Sequence, residues 1–345
     1  MRKLATVQTI SEITPIEGAD RIETARVLGW RVVVGKGEFS VGDKAVYMEI
    51  DSILPADNPA FESFQARGQK TIAVDGRDYT GHVLKTMKLR GIVSQGLLMS
   101  LGTLGIDPST EVGEEVTDQL GIVKYEAPIP MGGANIVGPF QSRFAPKTDA
   151  IRLQNLVDFW DIIRTISWEP TVKVDGTSQT LVNDNGNLRI FGRNWELDPQ
   201  VAPGMKVARD HSLTEDLEPD MAIQFELAGA GIQGNRLKLS GVRPFVFAVW
   251  KNGEKVERSS WPEAALKWAT PVLGDDYSPT NFASADELIN FVDGLRGAIS
   301  PDRLDEGVVF HPVDPASVPQ ELADELDRNH NFKAINNKFL LKHAE

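Results

Sequence analysis

Thr171-Val172-Lys173-Val174-Asp175-Gly176-Thr177-Ser178 reads as a β-strand running into a turn. Period-2 alternation sends Val172 and Val174 to one face and Lys173 to the other. Asp175-Gly176 is a turn signal, because glycine takes backbone shapes closed to other residues. A lysine presented at a strand end beside a carboxylate has the makings of a covalent nucleophile. It suits an ordinary surface hairpin equally well, so the choice rests on the residues around it.

The bulk composition narrows the field. A chain of 345 residues exceeds one small core and implies about two domains. The 41% hydrophobic and 25% charged content is that of a soluble globular protein. No apolar run is long enough to cross a bilayer, and Met1-Arg2-Lys3-Leu4-Ala5-Thr6 lacks the apolar stretch of a secretion signal. A cytoplasmic protein without a membrane partner is therefore expected. The absence of cysteine excludes disulfides, thiolate metal sites and cysteine nucleophiles. A net charge of −13 argues against nucleic-acid binding over the whole surface but leaves room for a local basic track. Tyr79 to Ile106 carries Lys85, Lys88 and Arg90 with no acidic residue. The stretch from Asn331 carries Lys333, Lys338 and Lys342 against Glu345 alone.

Residues 1 to about 120 read as short strands: Arg26–Val34, Lys44–Ile50, His82–Leu89 and Ile92–Leu101, separated by Gly and Asp turns. That pattern predicts a small barrel or sandwich, with Lys85, Lys88 and Arg90 as its nucleic-acid-binding candidates. Pro128, Pro130, Gly132, Gly133, Gly138 and Pro139 mark a connection. A helix is then expected, with Thr148 as N-cap and Leu156, Phe159, Trp160 and Ile163 on its apolar face. Beyond Lys173, strands are expected at Leu188–Phe191, Ile223–Leu227, Phe245–Trp250, Gly307–Phe310 and Asn331–Leu341. Helices are expected after Pro262 and at Ser284, where Ser284-x-x-Glu287 is a capping box.

Polar residues sit at the strand ends of this second region: Lys173, Asp175, Arg193, Glu226, Glu306 and Lys333. Their order resembles the covalent nucleotidyltransferases, which comprise ATP-dependent DNA and RNA ligases and mRNA capping enzymes. Lys173-Val174-Asp175-Gly176 matches the Lys-x-Asp-Gly nucleophile motif. Glu226 in Phe225-Glu226-Leu227-Ala228-Gly229, the aromatic strand Pro244–Trp250, Glu306-Gly307-Val308-Val309 and Phe332-Lys333 match the later motifs in order. Few residues follow Lys333 and the extra domain lies in front. This layout resembles the Deinococcus-type (fifth) RNA ligase family, as do Phe144–Asp149 with Arg152 and Asn155, Gly229–Asn235, and Lys333–Lys342.

The resemblance implies an α+β chain: an N-terminal OB-fold β-barrel over 1–122, a linker over 123–143 and an antiparallel-sheet nucleotidyltransferase (adenylation) domain over 144–345. It implies an ATP-dependent, monomeric RNA ligase that carries AMP on Lys173 and seals nicked duplexes whose 3′-hydroxyl strand is RNA. A DNA-joining or capping transferase, or a non-catalytic nucleic-acid-binding relative, is the alternative. Lys173, Asp175, Glu306 and Lys333 would be catalytic. ATP would meet Val172, Lys173, Gly176, Arg193, Glu226, Glu306, Lys333 and an aromatic, Phe247 or else Phe245. Mg²⁺ or Mn²⁺ would be held mostly through water by Asp175, Glu226 and Glu306. Relatives often show Lys-x-Lys in the last motif, whereas Ile335 stands here. Either Lys338 or Lys342 takes the second role, or one lysine suffices.

Overall fold

Leu28 sits at φ 50° and splits the apparent Arg26–Val34 strand into a hairpin, Ile22–Val27 against Trp30–Gly35, with Val27 opposite Trp30. The structure, a computed structural model, describes residues 3–74, 77–126, 135–326 and 328–343. The chain divides into two compact units. One comprises Met1–Ile129, Gln154–Asp158 and Leu340–Glu345; the other comprises Pro130–Leu153 and Phe159–Phe339. No helix among the described residues is long and apolar enough to cross a membrane.

The front unit is built from short antiparallel strands. Lys44–Met48 lies between Ala5–Thr9 and Leu97–Ser100, and Ser52–Pro55 joins Arg77–Val83, Lys70–Val74 and Val123–Lys124. Val7, Val46, Met48, Leu54 and Phe61 form one core; Trp30, Val32, Tyr47 and Leu98 form a second. Asn155 is bound in this unit, accepting from Trp30 Nε1 at 2.5 Å and donating to Glu49 at 2.6 Å. The His82–Leu89 and Ile92–Leu101 stretches are each interrupted. Met87–Leu89 and Ile92–Ser94 form a separate two-stranded hairpin. Its turn residues Arg90 and Gly91 lie at φ 50° and 86°, the pattern whose twist suits a tight hairpin. Lys88 and Arg90 are exposed there, and Lys85 is half-buried at its base.

The second unit carries two sheets. The larger orders Ile136–Pro139, Trp195–Leu197, Asn187–Phe191, Thr177–Asp184, Met221–Gly229, Val242–Lys251 and Glu254–Lys255, all antiparallel. One face buries Leu181, Ile190, Ile223, Phe225 and Val249 with Met205 and Ala208 of the helix Pro203–Asp210. The smaller sheet orders Ile151–Arg152, Phe332–Ile335, Gly307–Pro312 and Trp168–Lys173, with its first pair parallel. These two sheets supply the site.

Two further elements depart from their sequence reading. Thr148 caps no helix, because Ile151–Arg152 pairs with Phe332–Lys333 and commits that backbone to a sheet. Helical structure starts only at Leu153 as 3₁₀ turns, with one α-helical turn at Trp160–Ile163. The stretch Asn331–Leu341 also breaks: a strand covers Phe332–Ile335 and a helix covers Asn337–His343. The capping box at Ser284 forms, but Glu287 reaches back to the N–H of Ala283 at 2.8 Å rather than to that of Ser284.

Candidate active site

Lys173 ends its strand directly opposite Gly307, so Glu306 stands one residue before the facing strand begins. The Lys173 ammonium donates to Glu306 Oε2 at 2.7 Å, across 133 residues of sequence. Two glycines make this approach possible. A Cβ on Gly307 would lie 2.3 Å from the Ala334 carbonyl oxygen, and one on Gly176 would lie 2.4 Å from that of Leu227. Any larger residue at either place would push the strands apart.

Asp175 and Glu226 complete a ring of carboxylates. Glu226 comes from the large sheet, where Ser178 pairs with it directly after the Asp175-Gly176 turn. Burial dominates its titration and, with Glu306 and Asp175 adding to it, lifts its pKa to about 8 against the pull of Lys173 and Arg193. Asp175 is likewise raised to about 6, first by burial and then by Glu306, with Arg236 and Lys173 opposing. Burial disfavours the charged form of Lys173. Glu306, Glu226 and Asp175 outweigh that and hold its pKa above the ordinary lysine value. As it stands the lysine is a firmly protonated ammonium, and a protonated amine is no nucleophile.

The raised pKa values of Asp175 and Glu226 mean that the site resists ionising its carboxylates together, a cost that a divalent cation would offset. Asp175 uses one oxygen to accept from Arg236 Nη1 at 3.0 Å, and its other oxygen is buried with no hydrogen-bond partner among the described residues. Among those residues no three His, Cys, Asp or Glu side chains form a ready-made metal cage. The donor set therefore fits a cation that keeps much of its water, as Mg²⁺ does.

On the neighbouring strand Lys333 faces Val309 and reaches Asp149 Oδ1 at 3.3 Å. Arg193, from the turn after Asn187–Phe191, reaches the other oxygen of Asp149 at 3.4 Å. Asp149 thus holds two cations that the sequence places 140 residues apart. Val172 is buried with its side chain on the face away from Lys173, and its N–H donates to Pro271 O, so it packs the sheet. Phe245 stands opposite Glu226, buried and covered by the Arg243 guanidinium at 4.7 Å from its ring. Phe247 lies at a register shift of the same strand, half-buried against Phe144 and Phe191. Ile335 faces Gly307 in the row that begins at Lys173. Lys338 lies beside Gly294 and bears on Asp293.

Asp149 and Arg236 were not singled out from sequence as site residues. Asp149 closes the segment Phe144–Asp149 and Arg236 follows Gly229–Asn235, both of which resemble the family, but neither residue carries a local signature of its own. The loop before Arg236 does hold Gln233 and Asn235 at positive φ, 45° and 47°, strain of the kind stored at functional sites.

Comparisons with known proteins give the family. A family model described as RNA ligase matches residues 166–334, and one described as an OB-fold domain matches residues 4–101. No curated protein matches the chain. Solved structures of the Naegleria gruberi RNA ligase do. A variant with AMP and Mn is 32% identical, with 99% of each chain covered and a TM-score of 0.83. The complex with PPi is 32% identical, covering 100% of this chain and 99% of that one at 0.82. A variant with ATP and Mn gives 32%, 99% of each chain and 0.82. With the Lys173–Glu306 pair in place and the likeness spanning both units, the chain belongs to the ATP-dependent RNA ligases.

Proposed function

We propose that this chain seals nicked duplexes whose 3′-hydroxyl strand is RNA, by way of AMP carried covalently on Lys173, as a ligase of the Deinococcus type. The observation that supports this best is the Lys173 ammonium held at 2.7 Å by Glu306 inside a ring of carboxylates. In the first step the Lys173 Nζ, having lost a proton, attacks the α-phosphorus of ATP. The N–P bond forms, the bond to the β-phosphate oxygen breaks, and pyrophosphate leaves. The AMP then passes to a nucleic-acid 5′-phosphate, and attack by a 3′-hydroxyl joins the strand and releases AMP.

Each residue has a physical role in that sequence. Glu306 orients the Lys173 amine, and Lys333, steadied by Asp149, places positive charge where the α-phosphate gains negative charge. Arg193 presents a planar donor fork for ribose or 5′-phosphate oxygens. Phe247, with part of its ring open, stacks on adenine, and Glu226 meets the ribose. Asp175, Glu226 and Glu306 would hold a divalent cation, which would supply positive charge to lower the Lys173 pKa and offset charge on the phosphates. The protein works as a monomer in the cytoplasm.

Sugar selectivity is tested on two nicked duplexes that differ only at the 3′-hydroxyl nucleotide. The ribose nick is expected to seal at least about 10-fold faster, the order that one hydroxyl contact supplies. Equal rates would refute RNA selectivity.

The front hairpin gives a separate prediction. Lys88 and Lys85 should contact duplex phosphates, with Arg90 at the turn beside them. Lys85→Ala with Lys88→Ala is expected to weaken nick binding and flatten its salt dependence by about two ion equivalents, leaving lysine adenylylation unchanged. An adenylylation defect would contradict a role confined to duplex binding.

A further inference from the structure

Asn336 is fully buried, and every polar atom of its side chain is bonded. Its Nδ2 donates to Leu295 O at 3.1 Å and to Asp305 O at 3.0 Å. Its Oδ1 accepts from the N–H of Gly294 at 3.0 Å, Lys338 at 3.1 Å and Phe339 at 3.2 Å. Its own N–H donates to Glu306 O at 2.9 Å. One residue thus grips both carbonyls flanking the Glu306 N–H, the turn that follows the helix Ala285–Val292, and the first turn of Asn337–His343.

The same anchor extends into the segment before Glu306. Asp305 is fully buried, its N–H donates to Leu295 O at 3.0 Å, and its carboxylate accepts from the N–H of Ala298 at 2.9 Å. Residues 294–305 are thereby tied at both ends, and Glu306 follows directly on this segment, one residue before the strand Gly307–Pro312. Glu306 is the residue that holds the Lys173 amine, so an error in its backbone passes directly to the nucleophile.

We propose that Asn336 is a positioning residue that sets Glu306, and through it the Lys173 amine, for attack on ATP. This rests on Lys173 being the AMP-carrying residue. The bonding pattern explains why an asparagine is needed: three N–H groups demand an oxygen on one side, and two carbonyls demand an N–H₂ on the other. Aspartate keeps the size and the first set but turns an oxygen toward Leu295 O and Asp305 O. The neighbouring Asn337 turns instead to Asp293, its N–H donating to Oδ1 at 2.6 Å and its Nδ2 to Oδ2 at 3.2 Å; among the described residues its side chain makes no hydrogen bond to the Asp305–Glu306 backbone.

The test is single-turnover adenylylation with ATP labelled on the α-phosphate and Mn²⁺, run beside thermal unfolding of each variant. Asn336→Asp is expected to lower the maximal rate by roughly 10–100-fold, the usual loss when a group orienting a primary ligand is removed. ATP half-saturation should stay within about threefold, since the group acts on the nucleophile and not on nucleotide binding. Asn337→Ala should lower the melting temperature yet keep its rate. Combined with Glu306→Ala, Asn336→Asp should cost nothing further. If Asn336→Asp does not fold, Asn336→Ser, which keeps an acceptor and removes the amide donor, is read in its place. An unimpaired Asn336 variant, or losses that multiply with Glu306→Ala, overturns the role. A wild type that takes no label overturns the proposed function as well, so the two failures are told apart.

Discussion

Lys173→Ala is expected to lower transfer of AMP from ATP to the protein by at least about 10⁴-fold, because no other group supplies the attacking atom. The measurement is label retained on the chain through denaturing electrophoresis after incubation with α-labelled ATP and Mg²⁺ or Mn²⁺, stable to alkali and released by acid as a P–N bond requires. The side chain is about one-quarter exposed and forms its ion pair at a strand end, so the alanine variant should fold and melt near the wild type. Two further steps separate adenylylation from the later chemistry. A substrate already carrying AMP on its 5′-phosphate bypasses the lysine, and the variant should still join such an end. Undiminished label on the alanine variant would remove Lys173 from the mechanism altogether. Lys173→Arg should be as inactive in adenylylation as alanine, since guanidinium stays protonated and presents no lone pair.

The second large effect belongs to Glu306, and it has two signs. In the nucleotide-free chain burial opposes the Lys173 charge, and Glu306 is the strongest of the carboxylates that overcome it. Glu306→Gln removes that support, so the lysine pKa falls and the fraction of free amine at a given pH rises. Modification of Lys173 by an amine-selective reagent, without ATP or metal, should therefore speed up in the variant. Adenylylation should move the other way, falling by roughly 10²–10³-fold, because in the proposed mechanism the same carboxylate aligns the amine and would help to hold the cation. A variant in which both rates fall together would mean that Glu306 supports the fold and nothing else. Both rising together would mean that its charge only restrains the lysine.

Much of this was legible in one dimension. The alternation around Lys173, the Asp175-Gly176 turn and the spacing of Glu226, Glu306 and Lys333 depend on local backbone geometry, which a sequence carries openly. The front unit's short strands and the capping box at Ser284 are signals of the same kind. Errors arose where a local pattern met a non-local demand. The residues after Thr148 have helical spacing, yet Ile151–Arg152 is drawn into a sheet by a strand 181 residues later. The Asn331–Leu341 run reads as a single strand, yet the Asn336 side chain takes up the N–H groups of Lys338 and Phe339 and starts a helix.

By itself, then, the sequence carried the motif order that marks Lys173 as the proposed nucleophile and Asp175, Glu226 and Glu306 as its carboxylates, since those are written as residue types at motif spacing. Only the tertiary structure decided how they are charged and held: that Glu306 grips Lys173, that Asp149 joins Arg193 to Lys333, that Arg236 takes one oxygen of Asp175, and that Asn336 stands behind Glu306. The reason is physical. Periodicity and turns follow from neighbours in the chain, whereas burial, pKa and hydrogen-bond partners follow from strand register, which brings together residues more than a hundred positions apart.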